Sequence, residues 1–150
     1  MTVSGDAAFE PDERFTLSLS NPGDATIADA SATGTIVNDD ETRTTITLKV
    51  AKLRRTVRAS GVLEPTGAGH RVTVTLFRKR GARFAKIASK TVRVKALRDR
   101  DGDGRPDGAY AASFRRPTEG GRFKVTARFG PRPGYLGSSR SRAFSLGPRR

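Results

Sequence analysis

The chain contains no cysteine and a single histidine, so disulfides, thiolate metal sites and thiol catalysis are excluded, and imidazole chemistry falls to His70 alone. Tryptophan is absent, methionine occurs once, and no apolar run approaches the ~20 residues that a membrane-spanning helix needs. No serine or aspartate stands in a nucleophile motif. Glu64 and Glu119 have no spacing that would pair them for acid–base work, and His70, after Gly67-Ala68-Gly69, reads as a turn residue at the mouth of a strand. These absences point away from an enzyme. The opening Met-Thr-Val-Ser-Gly-Asp also lacks the basic and apolar stretches of a secretory leader.

What is abundant is positive charge, unevenly placed. Lys and Arg number 29 against 15 Asp and Glu over 150 residues, a net +14. Residues 1–42 hold nine acids and one base, −8, whereas residues 43–150 hold six acids and 28 bases, +22. Two unlike pieces therefore meet near Asp40. Of the 29 bases 22 are arginine, a skew that a GC-rich genome produces without selection for a ligand. A field of this size attracts polyanions, including anionic cell-wall polymers, in a salt-sensitive and sequence-blind way. Specific nucleic-acid recognition is not expected, because Tyr110, Phe114, Phe123 and Phe129 fall on the apolar side of their segments and leave no stacking platform.

Helical periodicity is missing, and wherever the hydrophobic period is clear it is two, the mark of half-buried strands. Ile46, Leu48 and Val50 alternate with polar residues, as do Val57, Ala59 and Gly61; Val72, Val74 and Leu76; Val92, Val94 and Ala96; Tyr110, Ala112 and Phe114; Phe123, Val125, Ala127 and Phe129; and Phe144 with Leu146. A further strand is expected near Phe84 to Ala88. Clusters rich in Gly, Pro or Asp separate these runs at 64–69, 79–81, 99–108, 117–121 and 130–137. Seven or eight strands in roughly a hundred residues fit an all-β immunoglobulin-like sandwich over residues 43–147, with a basic tail at 148–150. Arg58, Arg71, Arg93, Lys95, Arg122, Lys124 and Arg128 are expected on the solvent face of the strands.

In the acidic piece, Phe15, Leu17 and Leu19 alternate with polar residues, Asn21 to Gly23 makes a turn, and Ser31 to Asn38 returns as a strand. Gly5-Asp6 with Glu10-Pro11-Asp12-Glu13, Leu19-Ser20-Asn21-Pro22, Ala25-Thr26-Ile27-Ala28-Asp29 and the closing Asn38-Asp39-Asp40 together resemble the last third of a Calx-beta domain. The resemblance implies a calcium-associated sandwich repeated in extracellular and surface proteins, with ligand positions falling on Asp6, Glu10, Asp39 and Asp40. The early strands of that family have no counterpart here, so a truncated start is expected, and three short strands do not close a sandwich.

Asp99, Asp101 and Asp103 alternate, Gly104 permits a sharp turn, and Asp107 stands at the ninth place of the loop. This spacing resembles EF-hand-like calcium loops such as those of dockerins and thrombospondin type 3 repeats. Carboxylates at the first, third and fifth places can converge on one hard cation, the carbonyl of Arg105 occupies the seventh, and Asp107 acts through water. Tyr110 at the twelfth place supplies no bidentate carboxylate, and Arg98, Arg100 and Arg105 compete with the cation, so binding is expected to be weak. The alternative is a polar hairpin loop in which those arginines neutralise the aspartates.

The basic piece is similar to bacterial immunoglobulin-like repeats in its strand pattern and in Tyr135-Leu136-Gly137-Ser138-Ser139 before the last strand. Together the resemblances imply a non-enzymatic structural or adhesive part of a bacterial surface or secreted protein, located outside the cell in its full-length context. Its neighbours would be other repeat domains, its partners surface proteins or anionic polymers, and Ca²⁺ would stiffen loops or junctions. A polyanion-binding module that uses the strand-face arginines is the second expectation.

Overall fold

Burying every second side chain requires an extended backbone, and the computed structural model shows that outcome along most of the chain. It describes residues 12–37, 40–66, 69–99, 102, 104 and 106–148, among which there is no helix. The chain divides into two compact units, Met1–Thr42 and Arg43–Arg150.

In the first unit β1 (Glu13–Ser18) pairs antiparallel with β2 (Ser31–Ile36), so that Phe15 faces Gly34 and Leu17 faces Ala32. The Leu19 amide donates to the Ala30 carbonyl at 2.9 Å, and an Asp29 carboxylate oxygen accepts from the Ser31 amide at 3.1 Å. This register gathers Phe15, Leu17, Ala32 and Ile36 on one face and Arg14, Thr16, Thr33 and Thr35 on the other. No described residue of the unit is buried, and Leu17 and Leu19 are 51% and 56% exposed. Two strands alone leave one face of each side-chain row uncovered.

Among the described residues the second unit holds nine strands: β3 (Thr45–Ile46), β4 (Lys49–Lys52), β5 (Thr56–Glu64), β6 (Arg71–Arg80), β7 (Arg83–Arg93), β8 (Lys95–Ala96), β9 (Gly108–Arg115), β10 (Gly121–Phe129) and β11 (Ser138–Leu146). One sheet has the order β11-β10-β6-β7; the other has the order β3-β5-β9-β8, with β4 also on β5. Every pairing is antiparallel. Their inner faces share one core, in which Val57, Ala59, Leu63, Tyr110, Ala112 and Phe114 meet Val72, Val74, Leu76, Phe123, Val125, Ala127 and Phe129. Each of the larger of these side chains contributes about 1.5–3 kcal/mol on leaving water. The result is a two-layer β-sandwich.

Three details depart from simple alternation. The run Ile46–Val50 is split into β3 and β4 because Thr47 pairs locally: its amide donates to the Val62 carbonyl at 2.9 Å, and its hydroxyl accepts from the Val62 amide at 2.8 Å. The Thr47 carbonyl in turn accepts from the Tyr110 hydroxyl. Gly61 makes room for this approach, since a Cβ there would stand 2.0 Å from the Thr47 carbonyl oxygen. Next, the segments expected near 84–88 and 92–96 are not two separate strands. Residues 83–93 form one strand against β6, Val94 is buried, and Lys95 has already joined β9 in the other sheet. Finally, a register shift between Leu76 and Phe77 leaves Ile87 outside the pairing and 41% exposed.

Burial pushes the Tyr110 hydroxyl up to about 12, so it stays protonated and serves as donor across the physiological range. Tyr110→Phe removes the donor that satisfies Thr47, and is expected to cost about 1 kcal/mol in chemical denaturation of the full chain. Gly61→Ala forces the edge strand outward and should cost more, about 1–3 kcal/mol. An order of severity opposite to this would contradict the packing described.

Candidate functional site

One end of the sandwich collects the loops that the sequence singles out. β5 ends at Glu64 and β6 begins at Arg71, while β9 begins at Gly108 opposite Leu63, and β10 ends at Phe129 opposite Ser138, where β11 begins. Pro65, Thr66 and His70, then Leu97 and Asp107, and the loop 130–137 therefore lie at the same end as the entry of the chain at Thr44. The Thr44 hydroxyl donates to the Leu136 carbonyl at 2.7 Å and shares a hydrogen bond with the Ser138 hydroxyl at 2.9 Å, which ties the entry to the start of β11. β3 and β9 flank the end of β5 on opposite sides, so entry and aspartate loop stand two strand spacings apart, about 10 Å.

Of the calcium-loop residues, Asp99 and Asp107 are described, whereas Asp101, Asp103 and Arg105 lie outside the described residues. One Asp99 oxygen accepts from the Gly102 amide at 2.7 Å and the other from the Gly104 amide at 2.8 Å. Gly102 and Gly104 have φ of 79° and 80°, a left-handed backbone that turns both amides inward. The sequence motif signalled Gly104; the matching part played by Gly102 was not foreseen. Asp107 closes the loop through its backbone carbonyl, which accepts from the Leu97 amide at 2.7 Å, and its side chain is buried. Of the four ligand positions implied in the first unit, Asp40 is described and half-buried, whereas Asp6, Glu10 and Asp39 lie outside the described residues. Among the described residues no three His, Asp or Glu side chains form a group able to hold a metal ion.

His70 is more than a turn residue. It is buried against Phe129 (ring centroids 4.8 Å) and edge-on to Tyr135 (4.7 Å), and its carbonyl accepts from the Val94 amide at 2.8 Å. Arg132, from the loop after β10, donates to the neighbouring Gly69 carbonyl at 3.2 Å. The imidazole thus plugs the end of the core. Glu64 and Glu119 are at opposite ends of the sandwich: Glu64 pairs across from Thr45, and Glu119 lies in the loop before β10, paired with Arg78.

Arg58, Arg71, Arg93, Lys95, Arg122 and Arg128 are exposed as alternation requires. Lys124 is half-buried instead, with its ammonium 5.0 Å and 4.9 Å from the ring centroids of Phe77 and Phe84. Alternation did not reveal that three of these cations border a cavity. A groove of about 760 Å³ runs over the outer face of β5 and β9, lined among others by Lys49, Arg58, Arg93, Lys95, Ala109 and Ala111. Cross-strand register brings these residues together, and register is not legible in a list of alternating positions.

Burial first, and the Arg132 guanidinium second, hold His70 below its ordinary value. A lowered folded-state value means that the stability is complete above the unfolded-state pKa, near 6.5, and is lost as the pH falls below it. The full chain should therefore melt at a lower temperature at pH 5.5 than at pH 7.5, and His70→Leu should flatten that slope. Parallel profiles for the two proteins would show that the imidazole is not buried as described.

Comparison with protein-family models, with curated proteins and with solved structures gives no match to this chain.

Proposed function

We propose that the chain is a non-enzymatic structural and adhesive segment of a larger surface or secreted protein, the end of a Calx-beta repeat followed by an immunoglobulin-like sandwich. The observation that carries this reading is the path of the chain through the second unit. It enters beside Ser138 and leaves after Leu146, at the far end of the nine-residue β11, about 27–30 Å away. A module entered and left at opposite ends extends a tandem array by its own length. The sheet orders support the family reading: with β3 and β4 as the first edge, they follow the sequence of strands expected of an immunoglobulin sandwich, with the added β7 beside β6.

Weak calcium binding at residues 99–107 belongs to the same proposal. Asp99 faces into the loop, where its two carboxylate oxygens accept from the Gly102 and Gly104 amides. With the side chains of Asp101 and Asp103, the carbonyl of Arg105 and Asp107, it would hold a hard cation close to the chain entry, where stiffening the loop stiffens the junction.

Two measurements test this. Pulled between its termini, the full chain should show one dominant rupture that releases about 300–350 Å of contour from the sandwich; a staircase of small events would defeat the spacer reading. Limited proteolysis should show that Ca²⁺ protects residues 99–107 in the parent and leaves Asp101→Ala/Asp103→Ala unprotected. Identical digestion of the parent with and without Ca²⁺ would remove calcium from the proposal.

A further inference from the structure

The groove over the outer face of β5 and β9 has a floor of short side chains, Ser60 and Val62 on one strand and Ala109 and Ala111 on the other. Ser60 lies opposite Ala111 and Val62 opposite Ala109, so the floor is two residues wide and continuous. Lys49 stands beside Ser60 on β4, and Lys95 stands beside Ala109 on β8, which places a cation on each bank in successive rows about 7 Å apart. Arg58 follows one row further along β5, opposite Ser113, and Arg93 comes over from the strand crossing. Among the described lining residues there is no carboxylate; Glu64 lies one row beyond Val62.

The cavity thus offers fixed positive charge at its sides, apolar methyl groups and one hydroxyl on its floor. Tyr110 contributes to the lining, but its ring is buried and its hydroxyl donates to Thr47, so it presents no open face for a base. A single-stranded nucleic acid binds through such faces, and a polyphosphate has no apolar surface to set on alanine and valine. An acidic polysaccharide meets all three features: carboxylates for the ammonium and guanidinium groups, ring C–H surfaces for the floor, and hydroxyls for Ser60.

We propose that this groove binds an extended chain of an acidic polysaccharide, with Lys49, Arg58, Arg93 and Lys95 as the carboxylate contacts. The site goes beyond the spacer reading, because it names the surface by which the segment adheres and does not depend on calcium or on how the chain is pulled.

Calorimetric titration of the full chain with polygalacturonate oligomers tests it at about 0.15 M salt, where diffuse attraction is largely screened. Polyphosphate, oligo(dT) and neutral dextran serve as comparators. Arg58→Ala/Lys95→Ala should weaken polygalacturonate binding about tenfold. Lys86→Ala/Arg122→Ala, the same loss of charge on the outer face of the other sheet, should change it less than about twofold. Ala109→Leu/Ala111→Leu fills the floor at constant charge and should also cost about tenfold. Ala111→Leu alone carries that arm if the pair lowers the melting temperature. The proposal is overturned if both charge pairs weaken binding equally, if the filled floor binds as the parent does, or if polyphosphate or oligo(dT) binds more tightly than polygalacturonate.

Discussion

The sandwich depends on one constraint: the space between the two sheets must be filled by side chains arriving from alternate positions of both. Phe114, Phe123 and Phe129, all at most 2% exposed, are the largest side chains fully buried there. Valines, alanines and leucines fit between them, and nothing else in the unit buries enough apolar surface to order about a hundred residues. The first unit shows the converse. Its hairpin carries the same alternation, yet Phe15 is only half-buried and Leu17 is exposed.

Because the inner positions are reserved for apolar groups, a net +22 is displaced to outer faces, rims and edges. This displacement does structural work at the edge strand β11, where Arg140 and Arg142 lie opposite Ala127 and Val125 and so project from the core-side face while remaining exposed. Charges in that position discourage a second sheet from adding to the edge. Elsewhere the long cationic side chains cover apolar surface: Lys124 lies over Phe77 and Phe84, and Lys90 reaches over Phe114. The groove over β5 and β9 arises from the same sorting, since small outward residues at 109 and 111 leave a trough between cations that had to face outward.

The alternation of Phe123 to Phe129 and of Tyr110 to Phe114 made the all-β class and most of the core legible in the sequence, because period two translates directly into faces. What pairing adds was not legible. Nothing local in Val92–Ala96 announces that the backbone changes sheets at Val94, because the inward-pointing pattern continues through the crossing. The split of Ile46–Val50 was hidden for the same reason: it depends on Gly61, Val62 and Tyr110, which lie 14 or more residues away along the chain. His70 looked like a turn residue because its burial comes from Phe129 and Tyr135, far along the sequence. At the aspartate loop the spacing pointed to a sharp turn at Gly104, whereas the capture of the Gly102 and Gly104 amides by Asp99 became visible only in the structure.

The crossing at Val94 has one more consequence. The covalent chain stitches the two layers together midway along the sequence, and Val94 is fixed there by the His70 carbonyl and by burial. Sliding one layer over the other would have to break this hydrogen bond and expose Val94 at the edge where the chain crosses. The sandwich is thereby latched against shear in its own plane, a resistance that flat stacking of two independent sheets would lack.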